Sequence, residues 1–424
     1  MTPSATISQQ AWMADHDLRS VFSALQGTGD PVPALLAVGG CVRDALMDRP
    51  VVDVDLATIH SPDIVLARLK SAGIDVLEIG IEHGTVVARF GNKLFQITTL
   101  RVDLETDGRH TKVAYTDDWV ADASRRDFTM NALYADLDGN VFDPLDGMAD
   151  VAARRVHFIG DANERIGEDA LRIPRFFRFH AQIEDGQIDP EGLAACRARA
   201  GDIANLSGER IRAELLKLLA APAPAATWQM MLEAQILGAE LVALNRCDRL
   251  AGLVTVEGVV AAADPIRRLA ALMEVGAHAA GNTADAVIAR LRLSNRDGAR
   301  LRDLNTSDDA IDPDLPTDML KPRLYRTGAD RWQDHVLLKW AGELADGRTG
   351  DRLRVDAWQE LLAFPSVWPV PTFPMRGADV LAAGIPEGPD VSRILKDVEN
   401  WWIDGGFEAG RDECLAELAR RVDA

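Results

Sequence analysis

Residues 39–58 read GGCVRDALMDRPVVDVDLAT. The segment ahead of them, Leu35–Val38, reads as a short buried strand. Gly39-Gly40 then reads as a turn, Val42–Met47 as a short helix and Val51–Ile59 as a second strand. Side chains alternate along a strand, so Asp53 and Asp55 are expected on one face and Val54 on the other. Two carboxylates that close repel each other unless a cation lies between them. Mg2+ suits such a site, because it takes oxygen ligands, commonly one or two carboxylates together with substrate phosphates. Two such ions can activate an attacking hydroxyl and stabilise the leaving oxygen of a phosphoryl displacement.

An Asp-x-Asp alone also describes a solvated acidic strand edge, and the glycines argue for more. A Gly-Gly turn between strand and helix lets backbone N–H groups approach a phosphate near the positive end of the helix dipole. Arg43, about one turn into the helix, adds charge-assisted bonds to phosphate oxygens. Turn, basic side chain and paired carboxylates together read as a nucleotidyl-transfer constellation.

The rest of the chain bounds that reading. Its 424 residues are 47% hydrophobic, enough for several packed domains. No apolar run is long enough to span a bilayer. The first twenty residues lack a basic region followed by an apolar core, so the cytoplasm is the expected compartment. Cys41, Cys196, Cys247 and Cys414 form no CxxC pair, which argues against metal clips and disulfides. A net charge of −20 weighs against a nucleic-acid partner, but it is unevenly spread. Residues 1–150 carry 23 acids and 12 bases, whereas residues 151–220 carry 11 of each. A polyanion would have to follow local basic tracks, with strong salt dependence.

The first 147 residues read as α/β. A helix is expected from Ser61-Pro62 to about Ala72, with strands at Asp75–Ile79, Thr85–Phe90 and Lys93–Leu100. A hairpin joins Leu133–Leu137 to Val141–Phe142 across Asp138-Gly139-Asn140. From residue 148 onward helical spacing dominates, through Ala162–His180, Ser207–Ala221 and Ala284–Leu304. Proline-rich breaks at Pro313–Pro322 and Phe364–Pro374 divide the second half.

Several motifs recur in a fixed order. They are Gly39-Gly40-x-Val-Arg43-Asp, Asp53-x-Asp55-Leu-Ala-Thr, Thr98-Thr-Leu-Arg101, Thr106–His110 and Arg125-Arg126-Asp127-Phe-Thr-Met-Asn131-Ala. Glu168-Asp169-x-x-Arg172-x-x-Arg175-x-x-Arg178-Phe and Ser207-Gly-Glu-Arg210-Ile follow. The set resembles the signature of bacterial-type (class II) CCA-adding tRNA nucleotidyltransferases and the related bacterial poly(A) polymerases. Both belong to the polymerase-β-like nucleotidyltransferase superfamily. The resemblance covers roughly residues 34–220; Leu291–Asn295 and Phe373–Gly377 are similar to the helical body with lower specificity.

The resemblance implies an α/β head with a small mixed sheet over residues 1–147, a helical base-recognising neck over 148–220, and a helical, tRNA-binding body and tail over 221–424. It implies template-independent addition of C, C and A to the tRNA 3′ end from CTP and ATP, with pyrophosphate leaving. Mg2+ on Asp53 and Asp55 would serve the transfer, and neither a membrane nor DNA is an expected partner. Gly39, Gly40, Arg43 and Arg126 would hold the nucleotide, Asp127 would contact the ribose or orient a neighbour, and Asn131 would join that group.

Residues Glu168–Phe179 carry helical periodicity, so Asp169 and Arg172 are expected side by side. On spacing alone they read as an ion pair on a solvated helix. In the family, the matching residues read the incoming base in place of a nucleic-acid template. Adenine and cytosine both offer an amino donor beside a ring-nitrogen acceptor, which suits a carboxylate beside a guanidinium. Guanine and uracil reverse both polarities, leaving buried groups unpaired at about 1–3 kcal/mol each. Arg175 and Arg178 would serve the triphosphate or the base-reading network.

Two positions depart from the family pattern. Gln96 stands where relatives usually carry a third carboxylate, and Pro174 stands in the base-reading helix, where it is expected to kink the helix. Residues Asp103–Thr111 resemble the flexible loop that family members use in switching from C to A addition. The rivals are a poly(A) polymerase, an A-only or CC-only enzyme, and a non-catalytic RNA-binding relative motivated by Gln96. A fused HD-type phosphohydrolase is rejected, because His16-Asp17 is the only HD dipeptide. Arg290, Arg292, Arg296, Arg300 and Arg302 read either as a track for the tRNA backbone or as a solvated face balanced by Asp297 and Asp303. Trp332, Trp340, Trp401 and Trp402 read as packing residues.

Overall fold

The computed structural model describes residues 1–27, 29–31, 33–78, 80–81, 84–106, 111–183, 187–274, 283–306, 311–348 and 352–422. The chain divides into two compact units, Met1–Val242 with Ala289–Leu293, and Ala243–Ile288 with Ser294–Ala424.

The first unit begins with β1 (Ala5–Thr6), α1 (His16–Leu25), β2 (Leu35–Val38), α2 (Gly40–Leu46), β3 (Asp55–Thr58) and α3 (Pro62–Ser71). Next come β4 (Asp75–Leu77), β5 (Thr85–Phe90), β6 (Lys93–Thr99), β7 (Arg101–Thr106), β8 (Thr111–Tyr115) and α4 (Trp119–Ser124). It ends with β9 (Tyr134–Ala135), β10 (Asn140–Phe142), α5 (Gly147–Ala152), α6 (Ala162–Glu168), α7 (Arg172–Ile183), α8 (Pro190–Ala198), α9 (Gly208–Leu219) and α10 (Pro224–Glu233). Eight strands form one mixed sheet in the order β1-β10-β9-β2-β3-β6-β5-β4, parallel only between β3 and β6. All four side chains of β2 are buried, as a short apolar run must be in a sheet covered on both faces. Leu36, Val38, Ala57, Tyr134 and Phe142 pack with Trp119, Ala123 and Ile159 in one core cluster.

Three expectations for the first unit are corrected. First, β3 is shorter than Val51–Ile59. Its register runs from Leu35 opposite Thr58 to Val38 opposite Asp55, so the ladder stops where β2 gives way to Gly39. Asp53 therefore lies ahead of the strand, and strand alternation does not govern it. Second, Asp103–Thr111 is not simply a loop: β7 and β8 pair antiparallel up to Thr106 and Thr111, and residues 107–110 lie outside the described residues.

Third, Ala162–His180 is two helices. α6 ends at Glu168, the backbone of the following Asp169 is extended, and the Asp169 carboxylate accepts the Leu171 N–H at 3.0 Å. That local bond competes with the helical ladder and breaks it. Pro174 is thereby the third residue of α7, where the N–H it lacks has no intrahelical acceptor to lose. No kink follows from it.

The second unit is helical: α11 (Cys247–Val260), α12 (Pro265–Ala271), α13 (Thr283–Leu291, whose end belongs to the first unit), α14 (Asn295–Leu304) and α15 (Thr317–Thr327). α16 (Ala329–Ala345), α17 (Arg352–Val367), α18 (Gly377–Ala382), α19 (Pro389–Asp404) and α20 (Arg411–Val422) complete it. Ala284–Leu304 is also split, with Ser294 capping α14 through the Asp297 N–H at 3.1 Å. The proline breaks are narrower than expected, since α15 runs through Pro322 and α17 through Pro365. α11 lies close on α16, where a Cβ at Gly252 would stand 2.6 Å from the Ala341 carbonyl oxygen. Trp332, Trp340 and Trp402 are buried, and Trp401 packs against the α18–α20 core.

The arginine-rich stretch is only partly committed to partners within the protein, and Arg292, Arg296 and Arg302 are exposed. Arg300 pairs with Asp264 at 2.9 Å and Asp334 at 2.8 Å, Arg302 with Asp285 at 2.6 Å, and Arg290 donates to the carbonyls of Ile203 and Leu206. The balancing acids differ from those expected. Asp303 meets Arg331 and His335, and Asp297 accepts from the Ser294 hydroxyl.

Candidate active site

Gly39 has φ +76° and ψ −119°, a backbone conformation that side chains rarely adopt. Its N–H is committed to the Leu133 carbonyl at 2.9 Å, which ties the turn to the start of the β9–β10 hairpin. The free donors of the turn are therefore those of the first residues of α2, starting at Gly40. Arg43 donates through Nη1 to the Asn131 side-chain oxygen at 2.7 Å and pairs with Asp44 at 2.8 Å.

Asp53 and Asp55 both keep solvent access. Partial burial first, and the Asp53 charge second, raise the Asp55 carboxyl above its usual range. The neighbouring Cys41 thiol is pushed up to about 12 by burial and then by Asp55. Such mutual repulsion between oxygen donors is what a divalent cation relieves, so the pair fits a hard metal ion. Among the described residues no group of three or more His, Cys, Asp or Glu side chains is placed to hold a metal. Ile97 pairs with Leu56, so Gln96 sits one step along β6, beside Asp55, and is exposed. Gln96 offers an amide oxygen and no charge.

Arg126 pairs with Asp122 at 3.0 Å and lies over the Tyr134 ring at 5.5 Å. Asp122 is buried and also accepts from Arg125 and the Tyr134 hydroxyl at 2.9 Å. Burial pushes its carboxyl up, but Arg126 and then Arg125 outweigh this and hold it below the usual range. Sequence reasoning missed Asp122, although its spacing of three and four residues from Arg125 and Arg126 on a helix was a usable signal.

Asp127 accepts from Asn131 at 3.3 Å and from Arg175 Nε at 2.7 Å. Burial again pushes the carboxyl up, and Arg175 outweighs it. Arg178 pairs with buried Glu214 of α9 at 2.5 Å, a partner no local signal announced. Asp169 and Arg172 do not pair with each other. Asp169 pairs with Arg210 at 2.7 Å, whereas Arg172 pairs with Glu168 and donates to the carbonyls of Arg165 and Arg125. Arg165, also unforeseen, donates to the Arg126 carbonyl at 2.7 Å. The structure thus links Arg43, Asn131, Asp127 and Arg175 in one chain of hydrogen bonds, and it leaves Asp169 and Arg172 on separate partners at the α6–α7 junction.

The family described as the poly A polymerase head domain matches residues 35–157, and that described as a probable RNA- and SrmB-binding site of polymerase A matches residues 187–240. The mitochondrial CCA tRNA nucleotidyltransferase 1 of Danio rerio is 33% identical over 403 residues, which cover 91% of this chain and 87% of that one. The chain belongs to the CCA-adding tRNA nucleotidyltransferase family. A CCA-adding enzyme of Levilactobacillus brevis is 31% identical over 382 residues, covering 87% of this chain and 89% of that one. The crystal structure of the Bacillus stearothermophilus CCA-adding enzyme in complex with CTP superposes with a TM-score of 0.74 at 26% identity, covering 96% of this chain and 97% of that one. The mixed-sheet head followed by a helical remainder is thus the architecture of the CCA-adding family, and the chain is a nucleotidyltransferase. Enzymes of this kind are metal-dependent.

Proposed function

We propose that this chain adds CCA to the 3′ end of tRNA from CTP and ATP, without a nucleic-acid template and with release of pyrophosphate. The observation that carries the proposal is that Arg175 of the neck meets the Gly39-Gly40 turn, Arg43, Asn131 and Asp127 of a head that also bears the Asp53–Asp55 pair.

In this reading Asp53 and Asp55 hold Mg2+, and two ions are expected. Bound there, the metal lowers the pKa of the tRNA 3′-hydroxyl and neutralises charge on the triphosphate. The residues do the rest. The first-turn N–H groups of α2, Arg43 and Arg126 bind triphosphate oxygens. Asp127 and Asn131 fix Arg43 and Arg175 in place, and Asp122 fixes Arg126. Asp169 accepts the exocyclic amino group of C or A and Arg172 donates to the ring nitrogen. Both must exchange part of their present partners, Arg210 and Glu168, for the base. Arg178, held by Glu214, supports α7. The helical remainder from about residue 221 binds tRNA, residues 148–220 serve as the neck and 1–147 as the head. The cytoplasm is the proposed compartment, and fluorescence of the tagged chain in its host decides it against an organelle.

The test is CTP incorporation into tRNA lacking CCA, with and without Mg2+. Asp53→Asn and Asp55→Asn are each expected to lose at least about 10³-fold in rate. Incorporation within tenfold of wild type in either variant would overturn the metal-site assignment.

A further inference from the structure

Three guanidiniums lie over one buried ring. The Phe179 centroid is 5.2 Å from Arg43 Cζ, 5.3 Å from Arg175 Cζ and 3.7 Å from Arg178 Cζ. Phe128 meets the same ring edge-on, with centroids 5.5 Å apart. Phe179 therefore closes the hydrogen-bonded chain from Arg43 through Asn131 and Asp127 to Arg175 into a loop, because both end members share its ring. Arg43 belongs to the phosphate turn and Arg175 to the helix that begins at the base-reading junction.

We propose that Phe179 is a positioning residue for nucleotide binding. Its π surface fixes where the phosphate-holding Arg43 stands relative to α7, so that one triphosphate meets both. The proposal rests on the nucleotide-site reading above. Guanidiniums are drawn to ring faces by the ring quadrupole, and the attraction strengthens away from water. The ring also gathers three like charges around one apolar surface. Burial pushes the Arg178 guanidinium down despite Glu214, so these charges are held against a desolvation cost that the ring helps to offset. An aliphatic side chain fills most of the space but loses the seat, together with the edge-on contact to Phe128.

The experiment compares Phe179→Leu, Phe179→Met and Phe179→Tyr with wild type. It reads CTP and ATP affinity calorimetrically, then KM and kcat for nucleotide and for tRNA. The expected result is a rise of about tenfold in Kd and KM for both nucleotides in the Leu and Met variants. In those variants the tRNA KM stays near wild type, the thermal midpoint falls by a few degrees with the lost Phe128 contact, and Phe179→Tyr keeps wild-type nucleotide affinity. If Leu does not fold, Met is judged alone by the same thresholds. Nucleotide affinity unchanged in the aliphatic variants overturns the proposal. So does an equal loss in the Tyr variant, which marks packing alone. Arg43→Ala separates the two readings: wild-type nucleotide affinity in that variant overturns the site assignment itself, and the Phe179 role with it.

Discussion

The Arg43 guanidinium donates to the Asn131 side-chain oxygen at 2.7 Å, across 88 residues of sequence. Asn131 passes the contact on to Asp127, and Asp127 to Arg175. Truncating the middle member should loosen both ends. Asn131→Ala is expected to lower kcat/KM for CTP and ATP by about 10–100-fold, with little change in tRNA KM. Steady-state kinetics with each substrate varied in turn checks it.

The raised Asp55 carboxyl predicts an exchange of stability for function. Its charged form is disfavoured in the folded state, by burial first and Asp53 second. Without metal, the folded state should therefore lose stability as pH rises from about 4, the value in an unfolded chain, through the raised folded value. Asp55→Asn removes that loss. At neutral pH it should stabilise the metal-free protein by on the order of 0.5 kcal/mol after solvent screening, while abolishing transfer. Denaturant titrations at pH 5 and pH 7.5, with chelator, measure the difference.

Gln96 predicts a change in the same direction of chemistry. Gln96→Glu sets a third carboxylate beside Asp55 on the neighbouring strand. The Mg2+ concentration for half-maximal activity should fall several-fold, and the metal-free protein should become slightly less stable. A Mg2+ titration of CTP incorporation and a melting curve with chelator read the two effects.

Asp169 is held by Arg210 rather than by Arg172. Arg210→Ala should leave the Asp169 carboxylate less fixed. Discrimination of CTP against UTP is then expected to fall about fivefold, less than in Asp169→Ala. Single-nucleotide incorporation rates for all four NTPs, in both variants, provide the comparison.

Pro174 occupies the first turn of α7. Pro174→Leu should therefore shift the thermal midpoint by no more than about 2 °C and leave base preference unchanged. A mid-helix proline would cost about 3 kcal/mol, and its replacement would stabilise strongly. A melting curve separates the two.

What the sequence revealed follows from which contacts are local. Leu35–Val38, the glycine turn and the β5–β6 hairpin are written in consecutive residues, and they appear at nearly the expected bounds. The end of β3 depended on the length of its partner β2, which no local pattern states. The break at Asp169 came from one side-chain bond to the Leu171 N–H inside a segment whose apolar spacing is continuous. Once the break is known, Pro174 ceases to be anomalous. Arg43, Asp55 and Asp127 stood out as charged residues within motifs, and the structure brings Arg43 and Asp127 into one hydrogen-bonded chain through Asn131. Asp122 and Glu214 look like surface acids until folding buries them against arginines.

The most direct test gives the purified protein a tRNA ending at its discriminator base, the same tRNA ending in CC, and an unrelated RNA, each with Mg2+ and the NTPs singly and together. The account predicts two C on the first substrate from CTP alone, one A on the second from ATP alone, completion to CCA followed by a stop with both, and no addition from GTP or UTP. A long A tract on the unrelated RNA, or no incorporation on any substrate, would contradict it.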